Sequence, residues 1–201
     1  MVIDRETADQ QLFISCGIPP DVPGRYSGSM YSIEIANEQT LLNIDDPLLE
    51  DVARQTLSAE QVAAAEISIA LVDNGAIHEI NRQYLQHDFA TDVISFLLDE
   101  FGPEDGAAPE AEPSTGLPTV RGAGKTLSGE VIISTEMAAD MARDYGWQAR
   151  DEVILYLVHG LLHLCGYDDL SADEQRVMRA REVEILARWN LVPHYAADPV
   201  D

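Results

Sequence analysis

Two hydrophobic periods alternate along the chain, and their order predicts its architecture. Tyr31-Ser32-Ile33-Glu34-Ile35 alternates apolar and polar residues and reads as a strand. Asp46-Pro47 has the form of a helix start, with Asp46 as N-cap and Pro at the first helical position, and Leu49, Val52, Ala53 and Leu57 continue the helix. Residues 65–72 read as the next strand, Ile77, Ile80 and Tyr84 fall at helical spacing, and 92–98 and 130–134 read as two further strands. A helix over about 135–145 ends at Gly146. Residues 151–165 form a long helix that is apolar nearly all round, hence central and buried, and Gly166 stops it. Ser171-Ala172-Asp173-Glu174 is a capping box that opens a last helix with Val177, Met178, Ile185 and Trp189 on its apolar face. The order β-α-β-α-β-β-α-α-α predicts an α/β fold: a single domain with a mixed sheet of about four strands and about five helices.

Some intervals break the pattern. Residues 1–30 are rich in Pro and Gly without a sustained period and read as a flexible lead-in to a domain spanning 31–190. Residues 99–127 read as a solvated, mobile insertion, because 99–113 carries six carboxylates and no Lys or Arg. Within it, Gly122-Ala123-Gly124-Lys125-Thr126 lacks the earlier glycine of a phosphate loop, Thr119 standing there, and lacks an upstream strand, so a flexible linker is expected. Residues 191–201 read as a tail.

A chain of 201 residues, 46% of them hydrophobic, suits one domain with a real core. It has no apolar run approaching the roughly 18 residues of a membrane span. The N-terminus has no basic stretch leading into an apolar one, so no secretory signal is expected. Cys16 and Cys165, far apart, fit a reducing compartment, and a cytoplasmic protein is expected. The net charge of −24, from 36 acidic and 12 basic residues, argues against general nucleic-acid affinity.

The chemistry is concentrated in 159–169. His159 and His163 lie four apart on the central helix, so their rings sit one turn apart on one face and can converge on one ion. Gly166 lets the chain fold back and bring Asp168 or Asp169 to the same point. Two His and one carboxylate, with room left for water, suit Zn²⁺ or another divalent transition metal and metal-assisted hydrolysis. The pair alone also fits two hydrogen-bonded core histidines. Gly160 stands where a zinc peptidase of the H-E-x-x-H type carries its general-base Glu, which weakens a peptidase reading. Cys165 lies on the wrong face to join the ligands and reads as a buried small hydrophobe, while His78, His87 and His194 read as surface residues.

The run His159-Gly160-Leu161-Leu162-His163-Leu164-Cys165-Gly166-Tyr167-Asp168-Asp169 resembles the H-G-x-L-H-L-x-G-Y-D-H signature of the YbeY family. Ile80-Asn81 through Thr91-Asp92-Val93-Ile94-Ser95-Phe96 and Ser128-Gly129-Glu130-Val131-Ile132-Ile133-Ser134 resemble two further segments of that family, in the same order. The resemblance implies a metal-dependent, single-strand-specific endoribonuclease of late ribosomal RNA maturation, at the 3′ end of the small-subunit RNA. It implies one Zn²⁺ held by His159, His163 and Asp169, with His159 and His163 catalytic through that metal. It also implies contact with the pre-ribosomal small subunit, a ribosomal protein being a possible partner. Asp169 replaces the family's last His, Leu85 its Arg, and Glu130 its Asp. A carboxylate at 169 would hold a cation more strongly at the expense of Lewis acidity.

Ser95 and Arg82 are the candidate substrate contacts. Arg82 also reads as an ordinary surface residue, and Thr91-Asp92 read equally as neighbours of the site, which the resemblance implies, and as strand-end turn chemistry. Arg143, Arg150, Arg176, Arg179, Arg181 and Arg188 form either a local basic face or helix-surface ion pairs with Glu174, Glu182 and Glu184. The rival readings are a non-catalytic assembly factor stapled by the metal and a zinc metallopeptidase.

Overall fold

The computed structural model describes residues 2–3, 30–37, 39–102 and 120–197. Its strands are β1 (Val2–Ile3), β2 (Tyr31–Asn37), β3 (Ala64–Val72), β4 (Val93–Phe101) and β5 (Thr126–Ser134). Its α-helices are α1 (Asp46–Ala59), α2 (Asn74–Leu85), α3 (Thr135–Tyr145), α4 (Ala149–Cys165) and α5 (Ala172–Leu186), followed by short 3-10 turns at Ala187–Trp189 and His194–Ala197. One mixed sheet has the order β1-β4-β5-β3-β2. β2, β3 and β5 run parallel, β4 pairs antiparallel with β5, and β1 pairs parallel with β4.

The sheet is covered on both faces. Ile67, Ile69 and Leu71 of β3 and Val131 and Ile133 of β5 pack in one core with α1, α3, α4 and α5. The intervening positions Ile94, Phe96 and Ile132 meet Ile77 of α2 on the other face. Period-2 alternation along each strand thus serves two cores. α4 lies in the larger core, with most of its residues buried all round, as its continuous apolar pattern predicts.

Gly160 is where α4 comes closest to the sheet. A Cβ there would lie 2.7 Å from Val131 Cγ1 and 2.8 Å from Ser95 Oγ. Ser95 Oγ instead donates to the Gly160 carbonyl at 3.1 Å, tying β4 to the helix turn that carries His159. Gly160→Ala is therefore expected to destabilise the fold by about 1–3 kcal/mol through overpacking. Calorimetric melting would show this as a lower midpoint, and an unchanged or raised one would contradict it.

The structure departs from the sequence pattern at several edges. Asp45, not Asp46, is the N-cap of α1, and Asp46 begins the helix. β4 and β5 each run into the interval 99–127: Asp99, Glu100 and Phe101 pair with Ser128, Leu127 and Thr126 beyond a register shift. Backbone pairing carries the β4 side of this ladder through the polar Asp99 and Glu100, while Leu127, opposite Glu100, stays buried in the core. The expected linker 122–126 is also anchored, since the Arg121 and Gly122 amides donate to Glu60 Oε2 at 3.1 and 3.3 Å and Thr126 opens β5. The acidic stretch 103–119 and residues 4–29 lie outside the described residues. β1, within the expected lead-in, is two residues long and too short for any period to reveal.

Candidate metal centre

α4 ends in a left-handed turn that shapes the site. Gly166 has φ of 102°, and the Gly166 and Tyr167 amides close back on the His163 and Leu162 carbonyls at 2.9 and 3.1 Å. This is a Schellman stop that only glycine makes without strain. Arg121 Nη1 donates to the Gly166 carbonyl at 3.0 Å and Lys125 Nζ to the Cys165 carbonyl at 3.2 Å, so two cations sit at the negative end of the helix dipole. Asp168 then uses its Oδ1 to accept the Asp169 and Leu170 amides at 2.7 and 3.2 Å. Asp168 builds the turn in this way, and Asp169 is left facing the two histidines.

His159 Nε2 and His163 Nε2 lie 3.0 Å apart. Asp169 Oδ2 is 4.0 Å from the first and Oδ1 is 3.9 Å from the second. Among the described residues these three make up the one group of three or more His, Cys, Asp or Glu side chains close enough to share an ion. His163 is buried, while His159 and Asp169 are partly exposed, so solvent reaches the cluster from one side.

The remaining ring nitrogens have fixed partners. His163 Nδ1 donates to the Tyr167 carbonyl at 2.9 Å, and His159 Nδ1 donates to Glu182 Oε1 at 2.7 Å. These bonds use the Nδ1–H of each ring and leave the two Nε2 atoms facing each other. Burial, reinforced by the facing His159, pushes His163 down to about 4, so it is neutral near pH 7. Two facing lone pairs repel unless a cation or a proton stands between them. Two imidazoles offering Nε2, a carboxylate and an open side are also the donor set that Zn²⁺ accepts. The residues present therefore fit a divalent metal, and the hydrogen bonds to Tyr167 and Glu182 are the outer-shell support such sites use.

Sequence reasoning missed Glu182. Lying 23 residues from His159 on a helix with charges on several sides, it reads as a surface partner for arginine. Its side chain is in fact only 3% exposed, and it is committed to His159. A carboxylate at a position where α5 faces α4 is the one cue, and it appears only once the two helices are known to pack.

The other candidates are placed as follows. Ser95 is buried against Gly160, and Arg82 is exposed and paired with Glu79 at 2.5 Å. Leu85 packs at the edge of the α2 core. Thr91 and the Val93 amide both donate to Asp92 Oδ1, which is local turn chemistry. Most of the C-terminal arginines form ion pairs, but largely with other partners than expected: Arg143 with Asp140, Arg150 with Asp151, Arg176 with Asp173, and Arg181 with buried Glu60. Of the expected carboxylates only Glu184 pairs with one of them, Arg181, while Glu174 takes Arg121 and Glu182 takes His159. Cys165 is fully buried, and that burial raises its thiol well above the ordinary range. His194 is partly buried rather than free on the surface, its ring stacked on Tyr145 with centroids 3.7 Å apart. Nothing in its local sequence marks that long-range contact.

The chain is similar in sequence to known proteins. The family model described as endoribonuclease YbeY matches residues 34–190. A protein named endoribonuclease YbeY from Listeria monocytogenes serotype 4b is 38% identical over 81% of this chain and 98% of its own length. One of the same name from Pelotomaculum thermopropionicum is 35% identical over 78% of this chain and 96% of its own. The solution structure of TM1509 from Thermotoga maritima, at 21% identity, aligns with a TM-score of 0.47 over 84% of this chain and 99% of that one.

Proposed function

From the premise that this chain belongs to the endoribonuclease YbeY family, we propose that it is a metal-dependent endoribonuclease that cuts single-stranded RNA during maturation of the small-subunit ribosomal RNA. As a member of that family the chain is an endoribonuclease. The observation that carries the metal dependence is the pair of facing Nε2 atoms, 3.0 Å apart, with Asp169 across from both. His159, His163 and Asp169 are the residues that would hold the ion, with Zn²⁺ favoured by the donor set.

A divalent ion held there would supply Lewis acidity for hydrolysis of a phosphodiester. The chain's own residues do the rest. Tyr167 and Glu182 orient the two rings, and burial keeps His163 unprotonated. Asp169, across from both rings, would hold the cation with its carboxylate. Exposure of His159 and Asp169 leaves the side from which a phosphodiester approaches. Arg121 and Lys125 lie at the same helix end, but each is paired with a carboxylate, Glu174 and Glu100, so the net charge of −24 is not locally reversed there.

Ser95 acts through the Gly160 carbonyl rather than on substrate, and Arg82 remains a candidate backbone contact from the surface of α2. The working partner is the pre-ribosomal small subunit in the cytoplasm, with a ribosomal protein delivering the RNA to an acidic enzyme. No helix among the described residues is long and apolar enough to cross a membrane.

Substrate class provides the test. The metal-loaded protein is given single-stranded RNA, the same sequence as a duplex, and an unstructured peptide. Cleavage of the single strand alone is expected. Peptide cleavage without RNA cleavage would place the site among the peptidases, and intact RNA with bound metal would make the metal a structural staple.

A further inference from the structure

We propose that residues 191–197, beyond the last helix, complete the metal centre, with Tyr195 serving as a positioning residue for His159. This rests on the metal-site reading above, but it concerns a segment that lies outside the 34–190 family match.

The Tyr195 hydroxyl donates to Glu182 Oε2, and the other oxygen of the same carboxylate accepts His159 Nδ1 at 2.7 Å. A buried carboxylate on α5 is therefore held from both sides: one donor is the ring that faces the metal, the other a side chain 13 residues further along. With Oε2 engaged, the carboxylate cannot rotate freely, and so the plane of the His159 ring is set.

Independent contacts hold the segment that carries Tyr195. Asn190 takes a left-handed conformation with φ of 57°, and the Leu191 amide returns to the Leu186 carbonyl at 3.2 Å, turning the chain back at the end of α5. The His194 ring stacks on Tyr145 at 3.7 Å and meets the edge of Trp147, fastening the turn to α3 and to the loop before α4. The Arg179 guanidinium lies over the Tyr195 ring, 5.0 Å from its centroid. Three elements thus place one hydroxyl. Burial, and next to it Glu182, keep that hydroxyl protonated as a donor.

The expected consequence is a tighter grip on the metal by a preoriented His159. Zn²⁺ affinity is measured on chelator-stripped wild type, Tyr195→Phe, Glu182→Gln and the double variant, by competition with a chromophoric chelator. Tyr195→Phe keeps the ring that the Arg179 guanidinium covers and is expected to weaken Zn²⁺ binding about tenfold, with a modest fall in the melting midpoint of the metal-free protein because Glu182 Oε2 loses a buried donor. In the Glu182→Gln background the same substitution is expected to add little, because the path through the carboxylate is already broken. Unaltered affinity in Tyr195→Phe, or an effect fully additive with Glu182→Gln, would overturn the proposal. Failure of the wild type itself to take up Zn²⁺ would instead overturn the metal-site reading, and this one with it.

Discussion

His163→Ala is expected to lose its metal and to cut RNA about a thousandfold more slowly or worse, while keeping its fold. The substitution removes the most buried donor of the cluster, leaving His159 and Asp169, which are both partly exposed. Two partly solvated donors hold a divalent ion far less well than three converging ones. The fold should survive, because the ring's own partners are the Tyr167 carbonyl and the facing His159, and the Schellman turn of 163–167 is backbone throughout. Melting with and without Zn²⁺ reads this directly. Wild type gains about 2.7 kcal/mol at a hundredfold excess over its dissociation constant, and His163→Ala gains almost nothing. His159→Ala is the less clean variant, since it strips the buried Glu182 of its imidazole partner. A His163→Ala protein that retains metal and cleaves at the wild-type rate would contradict the assignment.

Glu60→Ala is expected to be the most destabilising single change outside the metal centre. Glu60 is fully buried at the end of α1, and its Oε1 accepts Arg181 Nε at 2.6 Å and the Tyr167 hydroxyl at 3.3 Å. Its Oε2 takes the Arg121 and Gly122 amides. One carboxylate thus joins α1, α5, the turn that follows α4 and the strand entry at β5. Removing it leaves the Arg181 guanidinium, itself almost wholly buried, without its closest buried counter-charge. Breaking one partner of a buried pair costs about 3–5 kcal/mol, so a melting midpoint roughly 10 °C lower is expected. Glu184→Ala, removing the exposed partner of the same arginine, should cost at most about 1 kcal/mol. Metal affinity should fall in Glu60→Ala as well, because Tyr167 also carries the carbonyl that orients His163. Equal midpoints for Glu60→Ala and wild type would contradict this account.

These two residues show what can be read from the chain and what cannot. His159 and His163 announce themselves by helical spacing, an apolar helix and a glycine stop, all local properties, and the fold-back that brings in Asp169 follows from the same stop. The α/β layering was legible for the same reason: each element carries its own period. Glu60 and Arg181 are 121 residues apart, and a charge on an amphipathic helix looks solvated until the neighbouring helix is known. Glu182 and Tyr195 were hidden likewise, the first among arginines and the second in an apparent tail. Gly160 was legible as a missing base, but its cause is packing: α4 lies too close to Val131 and Ser95 to admit a side chain there. The outer ends of β4 and β5 were hidden by Asp99 and Glu100, whose polarity masks a backbone ladder.

The most direct measurement is a titration of chelator-stripped protein with Zn²⁺, following cleavage of a single-stranded RNA in the same sample. The account predicts no cleavage at the start, a linear rise and a plateau at one ion per chain, with His163→Ala flat throughout. Full cleavage by the stripped protein, or ion uptake that leaves cleavage unchanged, would contradict it.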